Sequence, residues 1–176
     1  KTPDYFTYSY DTGRKGLPAM SVYFEMQNLT RGVTLDEKNF PDEAFRTLLA
    51  ETVDGNGDSL LSTLETRRVS ELNCSGLGIA DLTGIEHFTN LHELIACNNQ
   101  IATLDLSGMA KLEKLDVSGC GKLQSLKLAG CSALTQLDAS SCALTALDLT
   151  GCTALKTVAC SYNDLTALDV SAAEKL

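Results

Sequence analysis

A register mark set on Val69 falls again on Leu91, Leu112, Leu134, Leu155 and Leu176, at intervals of 22, 21, 22, 21 and 21 residues. A period of that length constrains a chain more than any local propensity, because it means one small supersecondary unit used over and over. Three places after each mark stand Leu72, Leu94, Leu115, Leu137 and Val158, and two further on stand Cys74, Ala96, Val117, Ala139 and Cys160. Every unit therefore opens apolar-x-x-apolar-x-apolar, whose last part has the period of a strand with one buried face. No single unit can bury its own leucines. Stacked units bury them as ladders, with strands about 4.8 Å apart.

A finer period lies inside the first. Ile101, Leu123, Leu144 and Leu165 begin the segments IATLDL, LQSLKL, LTALDL and LTALDV. Each coil then carries two short extended segments, one per side, with no room between them for a helix of two or three turns. The convex side is expected to be strand-like or a tight 3₁₀ turn. The ninth place of successive coils holds Leu77, Asn99, Cys120, Cys142 and Asn163, with Cys131 and Cys152 among the half-coil equivalents. Asn at such a bend closes it by bonding neighbouring backbone, and Cys serves there because it is small and buries well.

The pattern L-x-x-L-x-(A/C)-x-x-N, as in LHELIACNN and LKTVACSYN, resembles the leucine-rich-repeat signature. The short coils and the run DLTGIEHFTNLHEL at 81–94 resemble secreted and surface leucine-rich-repeat proteins of bacteria, broadly internalin-like, over about residues 33–176. The resemblance implies an α/β-type repeat: a right-handed solenoid, mostly strand and turn, with a parallel β-sheet and a small helical N-terminal cap. It also implies a secreted or cell-surface address.

The chain changes character near residue 68. Eight of ten aromatic residues and all five Arg residues precede residue 69. This divides it into a strand-rich segment at 1–32, a cap at 33–68 and a solenoid of five coils at 69–176. In the cap, PDEAFRTLLAE at 41–51 reads as a helix. Pro41 is placed in its first turn, Asp42 and Glu43 face the positive dipole end, and Phe45, Leu48 and Leu49 form the apolar face that seals the first coil. In the first segment, YFTYSY at 5–10 and SVYFEM at 21–26 read as strands around a turn, and Asn28 opens a glycosylation triplet.

DGNGDSLLSTLE at 54–65 follows the helix and resembles an EF-hand loop. Asp54, Asn56 and Asp58 match its first, third and fifth places. Leu60 would offer a carbonyl, Ser62 would act directly or through water, and Glu65 would close the site with two oxygens, which suits the six to eight hard ligands of calcium. Ser59 stands where Gly normally makes the turn, and only Thr66 to Arg68 remain for the helix after Glu65. Two readings stay open: a calcium site, or a polar loop that keeps the pattern only as a cap.

Charge excludes some partners. The formal net charge is −9, and residues 69–176 hold six Lys, no Arg and twelve acidic residues. Such a surface repels phosphate backbones and anionic membrane surfaces, and no apolar run is long enough to span a bilayer. The seven cysteines (Cys74, Cys97, Cys120, Cys131, Cys142, Cys152 and Cys160) all lie in the repeats, most at repeat-locked places. That reads as buried thiols, with disulfides the alternative. Neither His87 nor His92 has a nucleophile at a fixed spacing, so the chain reads as no enzyme.

For binding, geometry names the outward side chains of the first strand in each coil: Glu71, Asn73, Glu93, Ile95, Lys114, Asp116, Gln136, Asp138, Thr157 and Ala159. Asp105, Asp148 and Asp169, with Lys127 between the first two, mark an acidic stripe on the other side. Two functions remain. One is a non-enzymatic module that recognises a protein or glycan through the repeat sheet. The other is a structural spacer or self-assembly unit, since Leu176 opens a coil without closing it and two such ends could meet.

Overall fold

The computed structural model describes residues 32–176. The two strands and the turn read at 1–31, and the Asn28 triplet, lie outside them. The described chain begins with β1 (Gly32–Thr34). It continues through α1 (Glu43–Thr52), β2 (Leu60–Ser62) and α2 (Thr63–Arg68), and then enters the repeats. β1 and β2 pair antiparallel, with Val33 opposite Leu61.

The repeat period becomes a parallel sheet. β3 (Glu71–Asn73), β4 (Glu93–Ile95), β6 (Lys114–Asp116), β8 (Gln136–Asp138) and β9 (Thr157–Ala159) lie in that order. The register matches the sequence marks place for place: Leu72, Leu94, Leu115, Leu137 and Val158 stack as one ladder. Leu91, Leu112, Leu134 and Leu155 make a second ladder and are almost wholly buried. The interior is therefore a set of leucine columns running along the stack, as a leucine-rich-repeat solenoid requires.

The finer period is realised only in part. β5 (Thr103–Asp105) and β7 (Ser125–Lys127) pair in parallel on the second side. Residues 144–149 and 165–170 form no strand, although Leu144, Leu147 and Leu149 are buried. Their backbone keeps isolated ladder bonds, such as the Leu144 carbonyl accepting Asp164 N–H at 2.9 Å. Burial of the leucines, rather than a continuous ladder, holds this side. The first coil carries a 3₁₀ turn at Ile85–His87.

The cap corrects the sequence reading in one detail. Asp42 is the N-cap of α1, accepting from Phe45 N–H at 3.0 Å, so Pro41 precedes the helix instead of occupying its first turn. The second Oδ of Asp42 accepts the Ala80 amide at 2.7 Å, tying the helix end to the first coil. Phe40, Phe45 and Leu49 are fully buried, with the two rings edge to face at 6.0 Å. Gly84 sits at φ +101, and a Cβ there would stand 2.2 Å from the Phe40 ring, so the close approach of cap to coil excludes any larger residue. Leu77, placed at the ninth position by spacing, is exposed rather than buried in the bend.

Candidate functional site

The outward face of the five-stranded sheet brings the residues singled out by spacing into one lattice. Two columns run across it. Glu71, Glu93, Lys114, Gln136 and Thr157 pair in sequence along one, and Asn73, Ile95, Asp116, Asp138 and Ala159 along the other. A shallow groove of about 410 Å³ runs over β4, β6, β8 and β9. Its chemistry is polar: Lys114 Nζ lies 3.4 Å from Glu93 Oε2, an exposed pair worth less than about 1 kcal/mol. Ile95 is the one large apolar side chain in the two columns.

The fifth place of these coils has a structural reason to be Asp or Asn. Asn73 Oδ1 accepts the Ser75 amide, Asp116 Oδ1 the Ser118 amide at 2.9 Å, and Asp138 Oδ1 the Ser140 amide at 2.9 Å. These three strands thus end in side-chain-closed turns; Ile95 and Ala159 hold the place in the other two. The stripe on the other side does the same: Asp105, Asp148 and Asp169 accept the amides of Ser107, Thr150 and Ser171. Ser107, and then Lys127 at 3.1 Å, hold the Asp105 carboxyl down at about 2. Thr150 and Ser171 lower those of Asp148 and Asp169.

Below the lattice the ninth place forms a continuous hydrogen-bonded column. Asn99 Nδ2 donates to the Cys74 carbonyl at 2.8 Å and its Oδ1 accepts the Ile79 amide at 3.0 Å. Asn163 repeats this with Ala139 and Leu144. Between them the Cys120 and Cys142 thiols donate to Ala96 and Val117 carbonyls at 3.3 and 3.2 Å. Cys therefore replaces the donor half of Asn. All seven cysteines are free thiols. Burial pushes Cys74 up to about 12 and Cys131 and Cys142 up to about 11.

One feature of this turn escaped the sequence reading. The eighth place of each coil takes positive φ, at Gly76, Asn98, Gly119, Ser141 and Tyr162. Gly and Asn alone would have signalled it; Ser141 and Tyr162 concealed it.

In the cap, the acidic loop closes on itself. Asp54 accepts the Gly57 and Ser59 amides, both at 2.9 Å, and Glu65 accepts those of Gly55 and Ser62 at 3.0 and 2.9 Å. Ser62 and Glu65 form a capping box that starts α2 before Glu65, not after it. Ser59 adopts φ +59, the conformation Gly would normally supply. The six positions are all oxygen donors, the class a hard cation takes. Among the described residues, however, no three His, Cys, Asp or Glu side chains converge in a metal-holding group.

The model of the endo-beta-N-acetylglucosaminidase EndoS LRR domain matches residues 40–176. The chain belongs to that leucine-rich-repeat domain family. The match describes a repeat domain, and no enzymatic family is indicated for these residues. Internalin J of Listeria monocytogenes (serotype 4b, strain F2365) is 38% identical over 68 residues, which is 39% of this chain and 7% of that protein. Among solved structures, the functional domain of InlJ from Listeria monocytogenes, which includes a cysteine ladder, is 28% identical with a TM-score of 0.51, over 84% of this chain and 42% of that one. An internalin (inlF) from the same species has a TM-score of 0.68 at 21% identity, over 83% of this chain and 43% of that one. Its internalin C2 has a TM-score of 0.54 at 20% identity, over 85% and 76%. The chain thus spans less than half the length of the first of these relatives. Its likeness is to bacterial internalin-type repeat proteins, and the family's repeat solenoid is the fold described above.

Proposed function

We propose that this repeat domain is a non-enzymatic recognition module of a secreted or surface bacterial protein, and that the five-stranded face reads a protein or glycan ligand. The observation that carries the reading is the in-register lattice. Five strands set side chains of mixed charge at a fixed pitch across one exposed sheet, which is how solenoids present extended surfaces. Its acids outnumber Lys114, so basic or neutral ligands suit it. The family's namesake is an endo-beta-N-acetylglucosaminidase, which supports screening glycans beside proteins. The test is a glycan array and a displayed protein library probed with the wild-type chain. A fourfold variant carries Glu93→Ala, Lys114→Ala, Asp116→Ala and Gln136→Ala, and a control on the opposite side carries Asp105→Ala and Lys127→Ala. Ligands should be lost by the first variant and kept by the second. Ligands that survive the fourfold change reject this face.

The cap loop is the second element of the proposal, as a calcium site. Asp54, Asn56, Asp58, the Leu60 carbonyl, Ser62 and Glu65 would hold the ion, which would neutralise their charge and brace the junction of cap and coil. Support comes from the spacing, from the left-handed Ser59 and from the pairing of β2 with β1, which rigidifies the second half of the loop. Calorimetry should register one site that disappears in Asp54→Ala. A flat titration with an unchanged Tm rejects it.

A further inference from the structure

Among the described residues, no strand pairs with the first edge of the five-stranded sheet. Residues of a parallel strand turn their N–H and C=O alternately to one neighbour and the other. The Ser70 carbonyl accepts the His92 and Glu93 amides at 2.8 and 3.1 Å, and Cys74 N–H donates to the Ile95 carbonyl at 2.8 Å. Residues 70, 72 and 74 therefore face β4. Glu71 and Asn73 turn both backbone groups the other way, where β3 has no neighbouring strand among the described residues. β3 is three residues long and carries neither Pro nor Lys; its one charge is the Glu71 carboxylate.

This edge opens onto a cleft of about 1120 Å³, bounded by Val69–Asn73 on one side and by the end of α1, the acidic loop and α2 on the other. Leu48, Val53 and Leu64 give it apolar contact, and Leu64 is 44% exposed. With the loop free of any cation, Asp58, Glu65 and Glu71 outnumber Arg68 along its walls, so calcium in the loop and a basic occupant of the cleft would compete.

We propose that an extended, basic peptide segment of a partner protein docks in this cleft by adding a strand to β3. The two N–H and two C=O groups of Glu71 and Asn73, about 6.6 Å apart along the strand, would pair with its backbone. Alternate side chains would meet the carboxylates and the leucines, the division of labour seen when a peptide augments a sheet. Charge argues against a second copy as the occupant, because each copy carries −9. The site uses the backbone of β3, and so is separable from the side-chain lattice of β4, β6 and β8.

The probe is an octapeptide, Lys-Val-Lys-Thr-Lys-Val-Lys-Thr, added to the full chain in chelator so that the loop carboxylates stay free. Amide hydrogen exchange is read by NMR. Exchange at Glu71 and Asn73 should slow at least tenfold. An analogue N-methylated at alternate amides, or one with Glu for Lys, should not slow it, and Glu71→Lys should weaken peptide binding at least tenfold. The fourfold lattice variant should bind the peptide as the wild type does. Unchanged exchange at both amides with millimolar peptide overturns the proposal. So does equal slowing by the N-methylated analogue, which would mean charge attraction without strand addition.

Discussion

At the scale of single residues, the ninth-place column ranks its members by what each satisfies. Asn99 holds two carbonyls and one amide of buried backbone. Asn99→Ala would orphan them and should cost about 3 kcal/mol in urea unfolding. Cys120 donates one weak bond, so Cys120→Ala should cost about 1–2 kcal/mol. The same burial sets a pH dependence. A thiol whose folded pKa is raised keeps its proton more tightly folded than unfolded. Its stabilising effect is whole below the unfolded value of about 8.5 and is lost as pH rises towards 11 or 12. Stability should therefore fall above about pH 9, and Cys74→Ala and Cys131→Ala should flatten that fall in denaturation curves taken across pH. A drop of equal slope in the double variant would assign it to other groups. The sequence made this column readable because Asn and Cys share a place in the period. It concealed the eighth place, because an exposed tyrosine gives no hint of left-handed backbone.

At the scale of elements, the junction of cap and first coil is where spacing stopped being informative. The helix was legible from its apolar face. The second role of Asp42, reaching 38 residues along the chain to Ala80, was not, because no local pattern encodes a contact across elements. Gly84 is the same kind of case. Gly84→Ala drives a methyl into Phe40 at positive φ and should cost about 3–4 kcal/mol. Gly130→Ala, also at positive φ but with nothing nearer than 3.4 Å, should cost only about 1 kcal/mol. Equal losses in thermal unfolding would show that Phe40 yields and that the junction is looser than described. The second-side strands were over-read for a related reason. LTALDL repeats the pattern of IATLDL, yet residues 144–149 bury their leucines without a ladder.

At the scale of the whole molecule, the repeat fixed almost everything that matters for binding: which side chains share a face, in which order, and at what pitch. It could not name a ligand, because a lattice with one large apolar side chain and no aromatic offers no anchor whose shape specifies a partner. Recognition by such a surface should be electrostatic in part, so binding of any ligand found on the array should weaken several-fold between 50 and 300 mM salt. The central claim is that β3, β4, β6, β8 and β9 form one continuous in-register face. Nitroxide labels at Glu71→Cys and Thr157→Cys, with the partly exposed Cys97, Cys142 and Cys160 changed to Ala, span four strand spacings. Pulsed electron–electron resonance should return one narrow distribution centred near 20 Å, four steps of about 4.8 Å. A broad distribution, or a separation beyond about 35 Å, would mean that the coils do not stack as described.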